Sequence, residues 1–475
     1  MKRTTRTLAA LVLATALVCA SAAALAGRPS ETTQRRPIAA RPVFERLIHV
    51  PGPNPILRSG GPGAWDENAI EAGNVFKDGH TYYLYYHGYS GDSERWQPDT
   101  YRIGVATATH PLGPWTKYGD APVLDLGPEG SWDSGLVACP AVLKEAEDTY
   151  YMWYSGDWPP SIGLATASSP LGPWTKYEKN PVMEDFGYVG GVVKADGNYY
   201  MYAEHPIDLN SPDQGPFKLA IADRPEGPWR LYEGNPVLEA GDWGSWDDGG
   251  YSEAGVIHHE GIFHTFYGGT KWEKFESIGY AYSFDGKSFH KHPQNPVIMR
   301  ERCPGVSAFA EVHSLFEPPF FYVYATERYI GSLDEDASSF DTEYISAHVL
   351  ATSRPFRFDM PVMTRDSLGP GAATELDDCP PISTENINSF ALTVECSYDA
   401  AAAAGLRAKV YPSHDGLHYD TEPTLSFDNF FQAGQCCRRT VALDPAVKFA
   451  KVVLENLDGG KAVSDVKVVA TLGCL

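Results

Sequence analysis

Positive charge is what the chain has least of. Its 475 residues include 38 Lys or Arg against 61 Asp or Glu, a formal net charge of -23. Such an acidic chain has nothing to offset phosphate repulsion, which argues against nucleic acid as a partner. Charged residues make up only 21% and hydrophobic residues 43%, so a largely disordered chain is excluded. Past residue 26 no apolar run approaches the ~20 residues of a spanning helix, so no transmembrane segment is expected. Cysteine is scarce, eight in all, with no Cys-x-x-Cys pair and no His/Cys cluster of zinc type along the sequence. A Gly-x-Ser-x-Gly elbow is absent, which leaves serine-nucleophile hydrolysis poorly supported.

Turn formers and aromatics are plentiful: 45 Gly, 37 Pro, 27 Tyr, 21 Phe and 11 Trp. That composition points to many turns joining aromatic-rich strands. Met1 to Ala26 reads as a secretory signal: Lys2, Arg3 and Arg6 precede the apolar run Leu8 to Cys19, and Ala24-Leu25-Ala26 is a small-x-small cleavage site. The residue before Cys19 is Val18, not a small one, which favours a soluble exported protein (secreted or periplasmic) over a lipid-anchored one. Residues 27–45 are expected to form a flexible leader. Seven cysteines remain after cleavage, and export permits disulfides, but their pairing is not readable from spacing.

Internal repetition is the strongest signal. Asn54-Pro55-Ile56-Leu57, Ala121-Pro122-Val123-Leu124, Asn180-Pro181-Val182-Met183, Asn235-Pro236-Val237-Leu238, Asn295-Pro296-Val297-Ile298 and Met360-Pro361-Val362-Met363 recur with prolines 67, 59, 55, 60 and 65 residues apart. Within each interval a small-residue segment leads into an apolar strand. An aromatic strand follows (Tyr82–Tyr86, Tyr150–Tyr154, Tyr199–Tyr202, Phe263–Tyr267 or Phe321–Tyr324), then a third strand, and in three intervals a Gly-Pro-Trp turn. Alternation, aromatic enrichment and Gly/Pro punctuation make these strands. Five such units predict an all-β fold, a five-bladed β-propeller over 46–366. From Leu368 the repeat stops, and 367–475 reads as a small β-sandwich that could bind carbohydrate or brace its neighbour. The aromatic strands and Gly-Pro-Trp turns themselves read as packing.

Propeller ligands bind in the axial funnel, so chemistry is expected at the mouths of the innermost strands. Trp65 to Val75, Trp132 to Val142 and Trp246 to Val256 share a ten-residue spacing. In that frame Glu71 and Glu253 stand beside the innermost strands of non-adjacent units. Two carboxylates across a funnel suit glycosidic cleavage, one protonating the leaving oxygen while the other activates water or attacks. Asp66, Asp133 and Asp247 follow the repeated tryptophans and read chiefly as a turn device. Asp66 and Asp133 are kept as further catalytic candidates. Glu311, His313, Asp248, Glu204 and Arg328 are the candidate substrate contacts, Glu311 and His313 sharing one face of an extended strand.

Here the chain resembles the five-bladed glycosidases of glycoside hydrolase family 43 and its relatives, over about residues 46 to 366. Glu253-Ala254-Gly255-Val256-Ile257 looks like the family's acid segment, Val312-His313-Ser314-Leu315-Phe316 like its blade-five segment, and Ala138-Cys139-Pro140 like its blade-two segment. Glu71-Ala72-Gly73-Asn74-Val75 lies where the family's base motif belongs, with Glu in place of Asp. The resemblance implies a carbohydrate substrate, an inverting mechanism, no required cofactor, and an axial Ca2+ or Na+ near His313. One departure is Val189, which stands where the family carries a third acid; Asp133, Asp248, Glu204 or Glu311 could replace it. A non-catalytic glycan-binding propeller is the main alternative and a glycoside phosphorylase the third. Residues Gly88 to Thr100 form the insertion expected to shape specificity.

Overall fold

The computed structural model describes residues 42–90, 101–157, 159–204, 217–271, 274–300, 303, 308–329 and 342–475. The signal segment, most of the leader and residues 91–100 of the long insertion lie outside the described residues. Among those described there is no α-helix, and the strands form seven antiparallel sheets.

Five sheets follow the repeat. Sheet one comprises Ala69–Asp78, Thr81–Tyr89, Arg102–Ala108 and Thr116–Lys117, and sheet two Ala138–Ala146, Thr149–Ser155, Ile162–Ala167 and Thr175–Lys176. Sheet three holds Tyr188–Ala195, Asn198–Glu204, Phe217–Ala222 and Arg230–Leu231. Sheet four holds Val256–His259, Ile262–Lys271, Lys274–Ser283 and His290–Lys291, with Ile298–Met299 added. Sheet five holds Ala308–Glu317, Phe320–Tyr329 and Thr342–Ala351, and takes its outer strands, Ile48–Pro51 and Leu57–Arg58, from the start of the described chain. The first strand of each sheet touches that of the next, and the fifth touches the first, so the inner strands close a ring.

The repeated residues explain this arrangement. The asparagine of each Asn-Pro turn clamps a strand of its own sheet: Asn180 Oδ1 accepts from the Leu164 N–H, Asn235 Oδ1 from Leu219, and Asn295 Oδ1 from Tyr280. Asn54 does the same to Ala347 in sheet five. Each Gly-Pro-Trp tryptophan packs edge-on against an aromatic strand of the preceding sheet: Trp115 on Tyr324, Trp174 on Tyr85, Trp229 on Trp153. The same aromatics donate back to the turns, Trp153 Nε1 to the Pro225 carbonyl at 3.0 Å and Tyr324 Oη to that of Pro111 at 2.7 Å. The strand aromatics bury large apolar area while satisfying their polar ends on the turns, and the turn tryptophans add edge-on ring contacts; together these hold neighbouring sheets against one another.

Sheet six consists of Phe356–Leu368, Val463–Cys474, Ser389–Tyr398 and Cys436–Leu443; sheet seven of Ile382–Ser383, Phe449–Asn456, Leu406–Ser413 and Leu425–Asp428. Buried residues of both, Leu392, Val394, Val466 and Val468 with Val410, Val452 and Leu454, share one core. The sixth repeat marker is therefore not a turn. Met360-Pro361-Val362-Met363 lies inside the strand Phe356–Leu368, where Phe356, Phe358, Met360 and Val362 alternate inward. A register shift between Pro361 and Met363 accommodates the proline, which cannot donate to the ladder. The second part of the chain thus begins about ten residues before the expected boundary at 367.

Candidate active site

The inner strands are irregular at one level. Those of sheets one, two, three and five shift register between Ala72 and Val75, Ala138 and Ala141, Val189 and Gly191, and Ala310 and His313. Cys139 and Glu311 sit in these irregularities with φ of 54° and 41°. Non-glycine residues rarely adopt such angles, at a cost of about 1–3 kcal/mol each, and such strain gathers at functional sites. In sheet four the segment before Val256 runs beside sheet five instead: Val312 N donates to the Glu253 carbonyl at 2.9 Å, and Gly255 N to the Val312 carbonyl at 2.7 Å. A Cβ on Gly255 would lie 2.7 Å from His313 Nδ1, so only glycine lets the imidazole approach.

This geometry gathers a buried cluster. Glu71 Oε2 lies 2.7 Å from His87 Nε2, and Glu71 Oε1 accepts from the Tyr101 hydroxyl at 3.1 Å. Glu253 Oε1 accepts from the Cys139 thiol at 2.9 Å. Glu71, Glu204, Glu253, Glu311, His87 and His313 are all buried. Burial opposes a charge on His87, but its bond to Glu71 and the charges of Glu71, Glu253 and Glu311 outweigh it and raise the imidazole above its usual range. Burial, then the charge of Glu253, pushes the Glu204 carboxyl well up. Burial also raises the Cys139 thiol, helped by Glu253, Glu71 and Glu311. His313 is lowered to about 3 by burial and by nearby His87, so its imidazole is neutral. Neither of its ring nitrogens has a hydrogen-bond partner among the described residues. Buried carboxylates in different surroundings, one bonded to an imidazole and a phenol and another to a thiol, are what acid–base chemistry requires.

The raised His87 gives a testable pH dependence. Its contribution to stability is complete below the unfolded value of about 6.5 and is lost as pH rises through the higher folded value. The wild type is therefore expected to lose stability to urea as pH rises above about 6.5, and His87→Gln to remove this component. An unchanged pH slope in the variant would contradict the pairing.

Of the expected residues, Glu71, Glu204, Glu253, Glu311 and His313 meet in the cluster. Asp66 and Asp133 do not. Asp66 Oδ2 is bound by Lys117 Nζ at 2.5 Å and Tyr86 Oη at 3.2 Å, and Asp133 Oδ2 by Lys176 Nζ at 2.6 Å and Tyr154 Oη at 3.1 Å. Asp247 repeats the arrangement with Lys291 at 2.7 Å. In each, the Trp-Asp loop is latched to the outermost strand of its own sheet, so these carboxylates are committed to structure. Lys176→Met would strand the buried Asp133 charge. It is expected to cost about 2 kcal/mol in urea unfolding, below the range for fully buried pairs because Lys176 is partly exposed, while leaving any turnover within about twofold. Asp248 is tied to its own loop, its Oδ2 accepting from Gly244 N at 2.7 Å. Arg328 pairs with Ala308, and its side chain lies outside the described residues.

Sequence reasoning overlooked His87, Tyr101 and Lys218. His87 pairs with Glu71 in the ladder just as Glu204 pairs with Tyr188, and Ser155 with Ala138. Aligning the residues that end the aromatic strands would have exposed it. Lys218, opposite Ala203, brings a cation beside Glu204. Glu204 lies on the strand paired with that of Val189, with Val189 opposite Ala203.

Among the described residues, the one group of three or more His, Cys, Asp or Glu ligand atoms within 4.8 Å of one another lies elsewhere, so no step is derived through an ion at His313. A roomy cavity of about 680 Å³ lined by Tyr232, Leu238, Asp242, Phe289 and Lys291 shares no residue with the cluster. The buried carboxylates and the strained inner strands, not the size of a hollow, identify the site.

No protein-family model matches the chain, and no curated protein does. Solved structures do. A thermostable family-43 glycoside hydrolase aligns at 19% identity and a TM-score of 0.45, over 64% of this chain and 92% of its own. The chain is similar to solved structures of glycoside hydrolases. A family 117 glycoside hydrolase produced by the marine bacterium Zobellia galactanivorans aligns at 16% identity and a TM-score of 0.43, over 65% of this chain and 91% of its own. An exo-beta-1,3-galactanase from Phanerochaete chrysosporium aligns at 14% and 0.41, over 87% of this chain and 99% of its own.

Proposed function

We propose that the chain is an exported glycoside hydrolase, a five-bladed β-propeller with an accessory β-sandwich, that cleaves O-glycosidic bonds of a polysaccharide or oligosaccharide by inversion. The reading rests on one observation: Glu71, Glu204, Glu253 and Glu311 converge with His87 and His313 in a buried cluster where the inner strands meet. Glu253 acts as general acid toward the glycosidic oxygen. Glu71, oriented by its hydrogen bonds to His87 and Tyr101, takes the proton of the attacking water. Glu204 shares the electrostatics of the acid in place of the residue missing at Val189. Glu311 and neutral His313 contact the sugar.

Release of reducing ends from a panel of polysaccharides and oligosaccharides tests this reading, with calorimetry run in parallel. Saccharide binding without turnover would replace it with a glycan-binding propeller. Glu204→Gln tests the tuning role. The two carboxyl groups interact electrostatically and titrate as a coupled pair, so removing one is expected to move the alkaline limb of the kcat/KM profile to lower pH. An unmoved limb would remove Glu204 from that role.

A further inference from the structure

The sequence carries no zinc-type spacing, yet folding assembles a transition-metal donor set away from the glutamate cluster. His49 lies on the strand Ile48–Pro51 that completes sheet five, and His348 on the neighbouring strand, where it pairs with Pro51 while His49 pairs with Leu350. The two histidines are thus diagonal neighbours on one face. Cys303 arrives from the connection between sheets four and five, its N–H donating to the Arg300 carbonyl at 2.8 Å. We propose that His49, His348 and Cys303 bind one zinc-class divalent ion.

All three residues are buried, and their ligand atoms lie within 4.8 Å of one another. His49 Nε2 and His348 Nδ1 face each other at 3.0 Å. Two nitrogens on a tetrahedral zinc ion would stand about 3.3 Å apart, from bonds of roughly 2.0–2.1 Å, so a small outward adjustment admits the ion. The second ring nitrogen of His348 is occupied: Nε2 lies 3.1 Å from Glu327 Oε1 and 3.2 Å from Ser346 Oγ. A carboxylate there holds the proton on Nε2 and leaves the Nδ1 lone pair turned toward His49, the outer-shell arrangement of zinc-bound histidines. Two imidazoles and a thiolate suit zinc, copper or cobalt; Ca2+ and Mg2+ prefer oxygen.

Beside the group is a small cavity of about 70 Å³ lined by Cys303, Glu327, Tyr344 and His348 and, from the other part of the chain, by Pro381, Ser383 and Phe449. It has room for a water as fourth ligand and offers a path for the ion. Binding exchanges the Cys303 S–H proton for a metal–sulfur bond, and the proton leaves to solvent. The ion would fasten the strand Ile48–Pro51 to the chain that leads into sheet five.

The test uses the full chain, stripped with a chelator and then titrated with Zn2+. One equivalent is expected to remain after dialysis, with about one proton released per ion and a higher Tm. Co2+ in its place should give a thiolate charge-transfer band in the near ultraviolet. Glu327→Gln, outside the ligand set, should weaken Zn2+ binding about tenfold. Cys303→Ser and His49→Gln, checked for folding by circular dichroism, should each lose the retained equivalent and the Co2+ band. Wild-type chain that retains no Zn2+, or variants that retain it undiminished, would overturn the proposal.

Discussion

Glu253→Gln is expected to lower turnover by about a thousandfold on any saccharide the wild type cleaves, with Tm changed by no more than a degree or two. Glutamine keeps the shape and the acceptor oxygen that the Cys139 thiol uses at 2.9 Å, so the fold has no reason to yield. What the variant lacks is a transferable proton. The loss should appear in kcat, and substrates with good leaving groups should regain much of it, since they need little protonation. Glu71→Gln should lose activity as deeply without that leaving-group dependence, because it removes the base. Full activity in Glu253→Gln, measured as reducing-end release, would remove Glu253 from the chemistry.

Gly190→Ala is expected to cost about 3 kcal/mol of stability and at least a hundredfold in activity. A Cβ at Gly190 would stand 2.3 Å from the Ala254 carbonyl oxygen and 2.8 Å from its nitrogen. These are backbone atoms of the segment that carries Glu253, and they cannot rotate away as a side chain could. The inner strands of sheets three and four must separate, and Glu253, pinned through its carbonyl to Val312, must shift with them. Urea denaturation and kcat report the two effects. Gly459→Ala, where an added Cβ meets nothing within 4 Å, is the matched control and should change neither by a measurable amount. Equal behaviour of the two variants would contradict the close approach of the inner strands.

Much of the architecture was legible because it depends on local chemistry. Asn-Pro turns, Gly-Pro-Trp turns and alternating aromatics act within a few residues of themselves, and each predicted the sheet it later formed. The same local logic misread Met360-Pro361-Val362-Met363. Its composition matches the turns, but its apolar period of two places it in a strand of sheet six, where a register shift absorbs the proline. The Trp-Asp pairs show a different limit. Their repetition was visible, but that each aspartate is taken up by a lysine from the outermost strand of its own sheet was not.

By itself, then, the sequence determined the strands, their grouping by repeat and the kind of residue at each strand mouth. Only the tertiary structure decided which of those residues meet. Glu71 finds His87 sixteen positions away, Glu253 finds Cys139 across 114, and His49 finds His348 across 299. Strand propensity and turn geometry are set by neighbours along the chain. The environment of a buried carboxylate is set by which strand mouths converge when the ring closes, and no local pattern encodes that.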